Sequence, residues 1–187
     1  IEKMPPCRNM CPSGNRVREF VTTLSQAESL GKSSDQALRE AWGIVTETSP
    51  FPAVCGRVCP QEHQCELQCV VNGKREPVAI GALERFVADY ELAHDSATPS
   101  DDGESISNNG TVPSDNVSKP SPSSKADGHK IAVVGTGPAS LTAAGDLARL
   151  GYQVTLFEAL HASGGVLMYG IPEFRLPKTI VAAEIEK

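Results

Sequence analysis

The chain has 187 residues and a formal net charge of −6, a length suited to one or two domains. The acidic balance excludes the basic footprint of a general nucleic-acid binder, and with no apolar run of about 20 residues no membrane span is expected. The sequence opens on Ile1 without a basic-then-apolar leader, so no signal peptide is expected and the expected location is cytoplasmic. The ending Glu-Ile-Glu-Lys187 reads as part of a longer protein.

Residues 1–94 contain all six cysteines: Cys7, Cys11, Cys55, Cys59, Cys65 and Cys69. They form three pairs spaced C-x3-C, and two precede proline, in Cys11-Pro12 and Cys59-Pro60. Three chemistries fit such a set. Disulfides need an oxidising compartment that nothing else signals. Structural zinc uses closely spaced cysteine pairs and would recruit His63. Iron–sulfur clusters use cysteine thiolates, often with proline after the last one of a run, and the Cys-Pro dipeptides favour this reading. The surroundings read as helical. Val17, Phe20, Val21 and Leu24 recur at i, i+3, i+4, i+7, one face of a helix. Ser34 or Asp35 is a candidate cap for a second helix carrying Leu38, Ala41, Trp42 and Val45, which Ser49-Pro-Phe-Pro52 stops. A third helix is predicted from about Gly81, with Leu83, Phe86, Val87 and Tyr90 on one face. A mutual core this thin benefits from metal ligation.

Residues 95–128 carry six acidic residues, two lysines, nine serines, four prolines and no aromatic residue. Such a composition buries too little apolar surface to offset ordering entropy, so a disordered linker is predicted. Its two sequons, at Asn109 and Asn116, read as chance in a Ser/Asn-rich tract.

Residues 129–187 begin with an apolar run, His129–Val134, read as a buried parallel strand. Gly135-Thr136-Gly137-Pro138-Ala139-Ser140 follows. A helix carries Leu141, Ala144, Leu147 and Leu150 as far as Gly151, and a second strand, Gln153–Phe157, ends at Glu158. The order strand, glycine turn, helix, strand, acid is that of a dinucleotide-binding βαβ unit. The first glycine makes the turn, the second lets the backbone approach a pyrophosphate at the helix N-terminus, and the acid accepts from ribose hydroxyls. Ser140 stands where the fingerprint has Gly or Ala. The expected fold class is α + α/β, a small all-helical domain followed by the first βαβ part of a Rossmann-like domain.

The string Phe51–Pro60, with Cys65-Glu, Cys69 and Glu76–Tyr90, resembles the N-terminal iron–sulfur domain of the NADPH-dependent glutamate synthase small-subunit family. Dihydropyrimidine dehydrogenase and the large subunit of an electron-bifurcating ferredoxin:NADP oxidoreductase share that domain. The resemblance covers residues 5 to about 92. It implies a helical domain with two 4Fe–4S clusters. Cys11, Cys59 and Cys65 would hold one, with the Glu84 side chain as fourth ligand. Cys7 and Cys69 would hold the other, together with a C-x2-C pair just upstream. That pair is absent, Glu2 standing where the nearer cysteine is expected. Either the start is truncated and altered, or the chain binds one complete cluster. Cys55 has no ligand role in the family pattern and reads as a buried free thiol or a substitute for a lost ligand.

Ala162-Ser-Gly164-Gly165-Val166-Leu and Tyr169–Lys178 resemble the FAD-binding half of the same flavoproteins. This resemblance implies that Gly135, Thr136, Gly137, Pro138, Ala139, Glu158, Gly164, Gly165, Val166 and Arg175 contact FAD, and that NADPH is bound by a domain absent from this chain. The implied activity is that of an NAD(P)H oxidoreductase like the glutamate synthase (NADPH) small chain. Electrons would run from NADPH through FAD and the clusters to a glutamate synthase large subunit, or to another electron-accepting subunit. One βαβ unit does not enclose a flavin, so this length alone is expected to be inactive. No residue reads as a general acid, base or nucleophile. The alternatives are a subunit of an electron-bifurcating ferredoxin:NADP oxidoreductase or of a sulfide dehydrogenase and, in another class, a non-catalytic metal-bound adaptor.

Overall fold

Local sequence accounts for most of the helices. The computed structural model describes residues 4–95 and 129–186. Glu2, both sequons and residues 96–128 of the predicted linker lie outside the described residues. A short helix α1 (Pro6–Asn9) leads into α2 (Val17–Ser25), whose predicted face buries Val17 and Phe20. Helix α3 (Ser34–Thr46) is capped by Ser33, one residue before the earlier of the two predicted caps. Ser33 accepts from the Gln36 backbone N–H while Gln36 accepts from the Ser33 N–H. This reciprocal capping box satisfies two N-terminal donors, which Ser34 or Asp35 would leave open. Ala37, Leu38, Ala41 and Val45 are its buried stripe.

Helix α4 (Pro52–Val58) begins with proline at its first position, where the missing N–H costs nothing. After a 3-10 turn (Gln61–His63) and a looped stretch, α5 (Ile80–Asp95) closes this part of the chain. Helices α2, α3 and α5 surround one apolar core, in which Phe20, Val45 and Val87 are almost wholly buried. The sheet element among these residues is a single bridge, Asn72–Arg75.

Helices α4 and α5 touch backbone to backbone. A Cβ on Gly56 would lie 2.7 Å from both the N and the Cα of Arg85. Arg57 reinforces the contact: its side chain is largely covered, donates to Asp89 at 2.7 Å and makes a second bond to the Ala53 carbonyl at 3.0 Å.

The second part is built on a parallel pair, β1 (Lys130–Val134) and β2 (Gln153–Phe157), in register Lys130–Gln153 to Val134–Phe157. The crossover helix α6 (Pro138–Arg149) buries Leu141 and Ala144. The predicted burial of β1 is not observed: its residues alternate between exposed and half-buried, and Val134 is 84% exposed. Helix α6 covers one face, and among the described residues no third strand pairs with β1. Two short helices follow, α7 (Val166–Tyr169) and α8 (Lys178–Glu186).

The two parts are joined at α4. Val54 packs with Leu167, Leu176 and Val181 in a second apolar cluster. The Glu184 carboxylate of α8, 4% exposed, accepts from the Ala53 N–H at 2.9 Å. An anion there meets the positive end of α4. No helix among the described residues is long and apolar enough to cross a membrane.

The α4–α5 crossing makes a signed prediction. Helix propensity alone would have Gly56→Ala stabilise by about 1 kcal/mol. Steric overlap with the Arg85 backbone makes it destabilise instead, by about 1–3 kcal/mol. A thermal melt of the variant beside the parent chain gives the sign.

Candidate functional site

Cys11 follows α1, Cys55 sits on α4, and Cys59 ends that helix in an extended conformation (φ −66°, ψ 134°). The Cys59 N–H still bonds the Cys55 carbonyl at 3.1 Å. Cys65 lies in the loop after the 3-10 turn and Glu84 on the buried face of α5. All five side chains, with Ser49, line one cavity of about 130 Å³. The cavity thus contains Cys11, Cys59, Cys65 and Glu84, and also Cys55.

Burial dominates the electrostatics of this cavity. Burial pushes the Glu84 carboxyl up to about 7, against a smaller opposing effect of the Ser49 hydroxyl. Burial, and next the negative charge of Glu84, push the Cys55 thiol up to about 12 and the Cys59 thiol upward. Cys65 is raised to about 12 by burial and by Glu66. Burial thus favours the protonated form of Cys55 and Cys65, and a bound metal centre displaces the protons of the thiols that ligate it. Ligands of a single zinc converge on one point at about 2.3 Å for sulfur. Among the described residues no three His, Cys, Asp or Glu side chains are grouped to hold one ion. His63 is exposed on its 3-10 turn and does not line the cavity. All six cysteines are free thiols. Soft thiols with one carboxylate around a single cavity are donors that fit an iron–sulfur centre.

Cys7 and Cys69 line a different cavity, open and largely apolar, of about 440 Å³. Burial, with a contribution from Cys69, raises the Cys7 thiol. Val17 and Ile80 line both cavities and form part of the wall between them. The pairs Cys7/Cys11 and Cys65/Cys69 are therefore each divided between the two cavities, whereas Cys55 and Cys59 share one. One signal for α4 was present in the sequence, Pro52, a residue favoured at the first position of a helix.

In the second part the two glycine turns meet. Gly135 has φ +88°, the left-handed conformation glycine favours, and its N–H bonds the Phe157 carbonyl at 2.7 Å. Gly137 caps α6 and Pro138 begins it, leaving early N–H groups, that of Ala139 among them, without helical acceptors. A Cβ on Gly135 would stand 3.8 Å from Ser140 Oγ, an ordinary contact, so serine at that position is accommodated. Thr136 is buried and ties the turns together. Its N–H donates to Glu158 Oε2 at 3.0 Å, its hydroxyl donates to the same oxygen, and its Oγ1 accepts from the Gly164 N–H at 3.0 Å. The Thr136 bonds, then that from the Leu160 N–H, hold the Glu158 carboxyl below its usual range. A Cβ on Gly165 would come within 2.8 Å of Gly137 Cα. Val166 begins α7 and is exposed. Arg175 is exposed on the turn before buried Leu176, outside the hydrogen bonds that join the glycine turns.

Comparison with known proteins gives the family of the first part and a domain match for the second. Residues 3–96 match the family model described as dihydropyrimidine dehydrogenase domain II, 4Fe-4S cluster. The chain belongs to that family. Residues 133–175, which include both glycine turns, Glu158 and Arg175, match an NAD(P)-binding Rossmann-like domain. Over 97% of its length the chain is 35% identical to the NADP(+)-dependent formate dehydrogenase subunit beta of Moorella thermoacetica, covering 24% of that protein. It is 31% identical over 98% of its length to the glutamate synthase (NADPH) small chain of Azospirillum brasilense, covering 32%. It is 33% identical over 97% to the NAD-dependent dihydropyrimidine dehydrogenase subunit PreT of Escherichia coli K12, covering 37%. The chain thus spans about a quarter to somewhat over a third of these curated relatives.

Thr136→Val keeps the side-chain shape but removes the acceptor of the buried Gly164 N–H and a donor to Glu158. The loss is expected to be about 1–3 kcal/mol, the cost of leaving a buried donor unpaired. Thr136→Ser, which restores the hydroxyl, should recover most of it in the same thermal melts.

Proposed function

We propose that this chain is the electron-carrying N-terminal part of an NAD(P)H-dependent iron–sulfur flavoprotein. The observation that carries the reading is the single cavity lined by Cys11, Cys59, Cys65 and Glu84. In this reading those four side chains hold one 4Fe–4S cluster. Cys7 and Cys69 face a second cluster position whose other ligands are not among the described residues.

The glycine turns form the dinucleotide end of an FAD site. Gly137 lets the backbone approach the pyrophosphate, the free N–H groups at the start of α6 receive its charge, and Glu158 accepts from ribose hydroxyls. Thr136 aims Glu158 and fixes the second turn, so that Gly164, Gly165 and Val166 border the same nucleotide, and Arg175 supplies a cation from the following turn. The nicotinamide nucleotide is assigned to the part of the relatives that this chain does not span. When bound, a flavin converts two-electron hydride chemistry into single electrons that an iron–sulfur cluster carries onward. The residues described here orient, insulate and tune.

The proposed recipient is a partner subunit, a glutamate synthase large subunit or another electron-accepting subunit. The names of the relatives support that range: they include a formate dehydrogenase subunit beta and an NADPH-Fe(3+) oxidoreductase subunit beta besides a glutamate synthase small chain. The proposed place of action is the cytoplasm, where cysteines are kept reduced and available as ligands.

The chain purified and reconstituted without oxygen should contain iron and acid-labile sulfide in equal amounts, about four of each per complete cluster. Cys11→Ser, Cys59→Ser and Cys65→Ser should each abolish the same electron paramagnetic resonance signal, which Cys7→Ser and Cys69→Ser leave in place. Zinc without sulfide, or a signal lost equally in all five variants, would overturn the assignment.

A further inference from the structure

The cluster cavity contains one ligand-capable side chain more than a four-cornered cluster needs. Cys55 lines it together with Cys11, Cys59, Cys65 and Glu84. Ser49 links it to Glu84. The Ser49 hydroxyl lies 3.6 Å from Cys55 Sγ and 3.5 Å from Glu84 Oε1. The relation follows from the backbone. Gly56 and Arg85 are the residues at which α4 and α5 touch. Cys55 and Glu84 each precede one of those contact residues, so the crossing that brings the helices together also brings these two side chains to one wall. The position of Cys55 is further held by Gln61, whose side-chain amide donates to the Cys55 carbonyl at 2.9 Å. Gln61 itself is packed against Gly81, where a Cβ would come within 2.5 Å of the amide carbon.

We propose that Cys55 is an alternative fourth ligand of this cavity, able to take the iron that Glu84 holds. The inference rests on the cluster assignment made above and concerns the ligand that assignment leaves spare. Carboxylate oxygen is the hard, weaker partner for an iron–sulfur centre and thiolate the soft, stronger one. The exchange is balanced. The Glu84 O–Fe bond and the Cys55 S–H bond break, the Cys55 S–Fe bond forms, and the thiol proton passes to the released Glu84 carboxylate. The net charge of the cavity is unchanged, and no oxidant or reductant is required. The Ser49 hydroxyl, within reach of both atoms, is the group that bridges donor and acceptor during the exchange. Two ligand sets give the centre two electronic states at one site: one with three sulfurs and an oxygen, the other with four sulfurs.

The test uses the full chain, reconstituted with iron and sulfide without oxygen. Glu84→Ala and Glu84→Leu are compared with the same substitutions made together with Cys55→Ala, the leucine variant filling the cavity so that loss of packing is controlled. Circular dichroism confirms helix content in each. The expected result is that both single Glu84 variants keep the parent's iron and sulfide content, with a shifted electron paramagnetic resonance spectrum. Both double variants should lose iron, and Cys55→Ala alone, left with Glu84 as fourth ligand, should keep the parent's iron and sulfide but lose the four-sulfur contribution from its spectrum. Loss of iron in the single Glu84 variants to the level of the doubles overturns the proposal, and so does full retention in the doubles. A parent chain that takes up no acid-labile sulfide instead overturns the cluster assignment itself.

Discussion

The contact on which the candidate cluster site depends is the backbone crossing of α4 and α5 at Gly56. Without a side chain there, the two helices approach until the next atoms to meet are the Arg85 N and Cα. That approach sets where Cys55 and Cys59, on and just after α4, stand relative to Glu84 on α5. Arg57 secures the same crossing by spanning from the Ala53 carbonyl to Asp89. A larger residue at position 56 would wedge the helices apart, and the residues displaced first would be those that line the cavity.

The cavity then sets an electrostatic problem that packing cannot solve. Several acidic groups are buried within reach of one another, and burial pushes both the carboxyl and the thiols toward their neutral forms. Buried ionisable groups with no compensating charge oppose folding as their ionised forms accumulate. A cationic metal centre reverses that balance, so in this part of the chain folding and loading favour each other. The second cavity, around Cys7 and Cys69, is larger and mainly apolar, and it places less acid under the same pressure.

Much of the helical frame was legible in the sequence because its apolar residues repeat at helical spacing. The Val17–Leu24 stripe and the stripe ending at Val45 both face the core. The start of α3 was placed late because Ser33, Ser34 and Asp35 all cap well, and only the partner at Gln36 distinguishes them. Helix α4 went unread because seven residues offer too few turns for a periodic signal, yet it bears the most on the site. Spacing also misleads among the cysteines. Three identical C-x3-C pairs look equivalent, but the chain turns after α1 and again near Cys69, so two of the pairs are divided between cavities. The strand, turn, helix and strand of the nucleotide unit were read at nearly the observed bounds, while the exposure of β1 was not, since burial depends on what lies beside a strand rather than on its own residues.

Helix α4 is finally the element that both parts of the chain hold. Its first turn donates through the Ala53 N–H to Glu184 of α8, and Val54 packs into the cluster with Leu167, Leu176 and Val181. Its far end carries Cys59 into the candidate cluster cavity. Residues 164–176 run from the second glycine turn to Leu176, so the segment proposed to border the flavin nucleotide is anchored on the same seven-residue helix as the proposed cluster. Transfer of an electron between two bound groups requires that their separation be held. A short helix fixed by a buried carboxylate at one end and packed against α5 along its length meets that requirement without a large interface between the two parts.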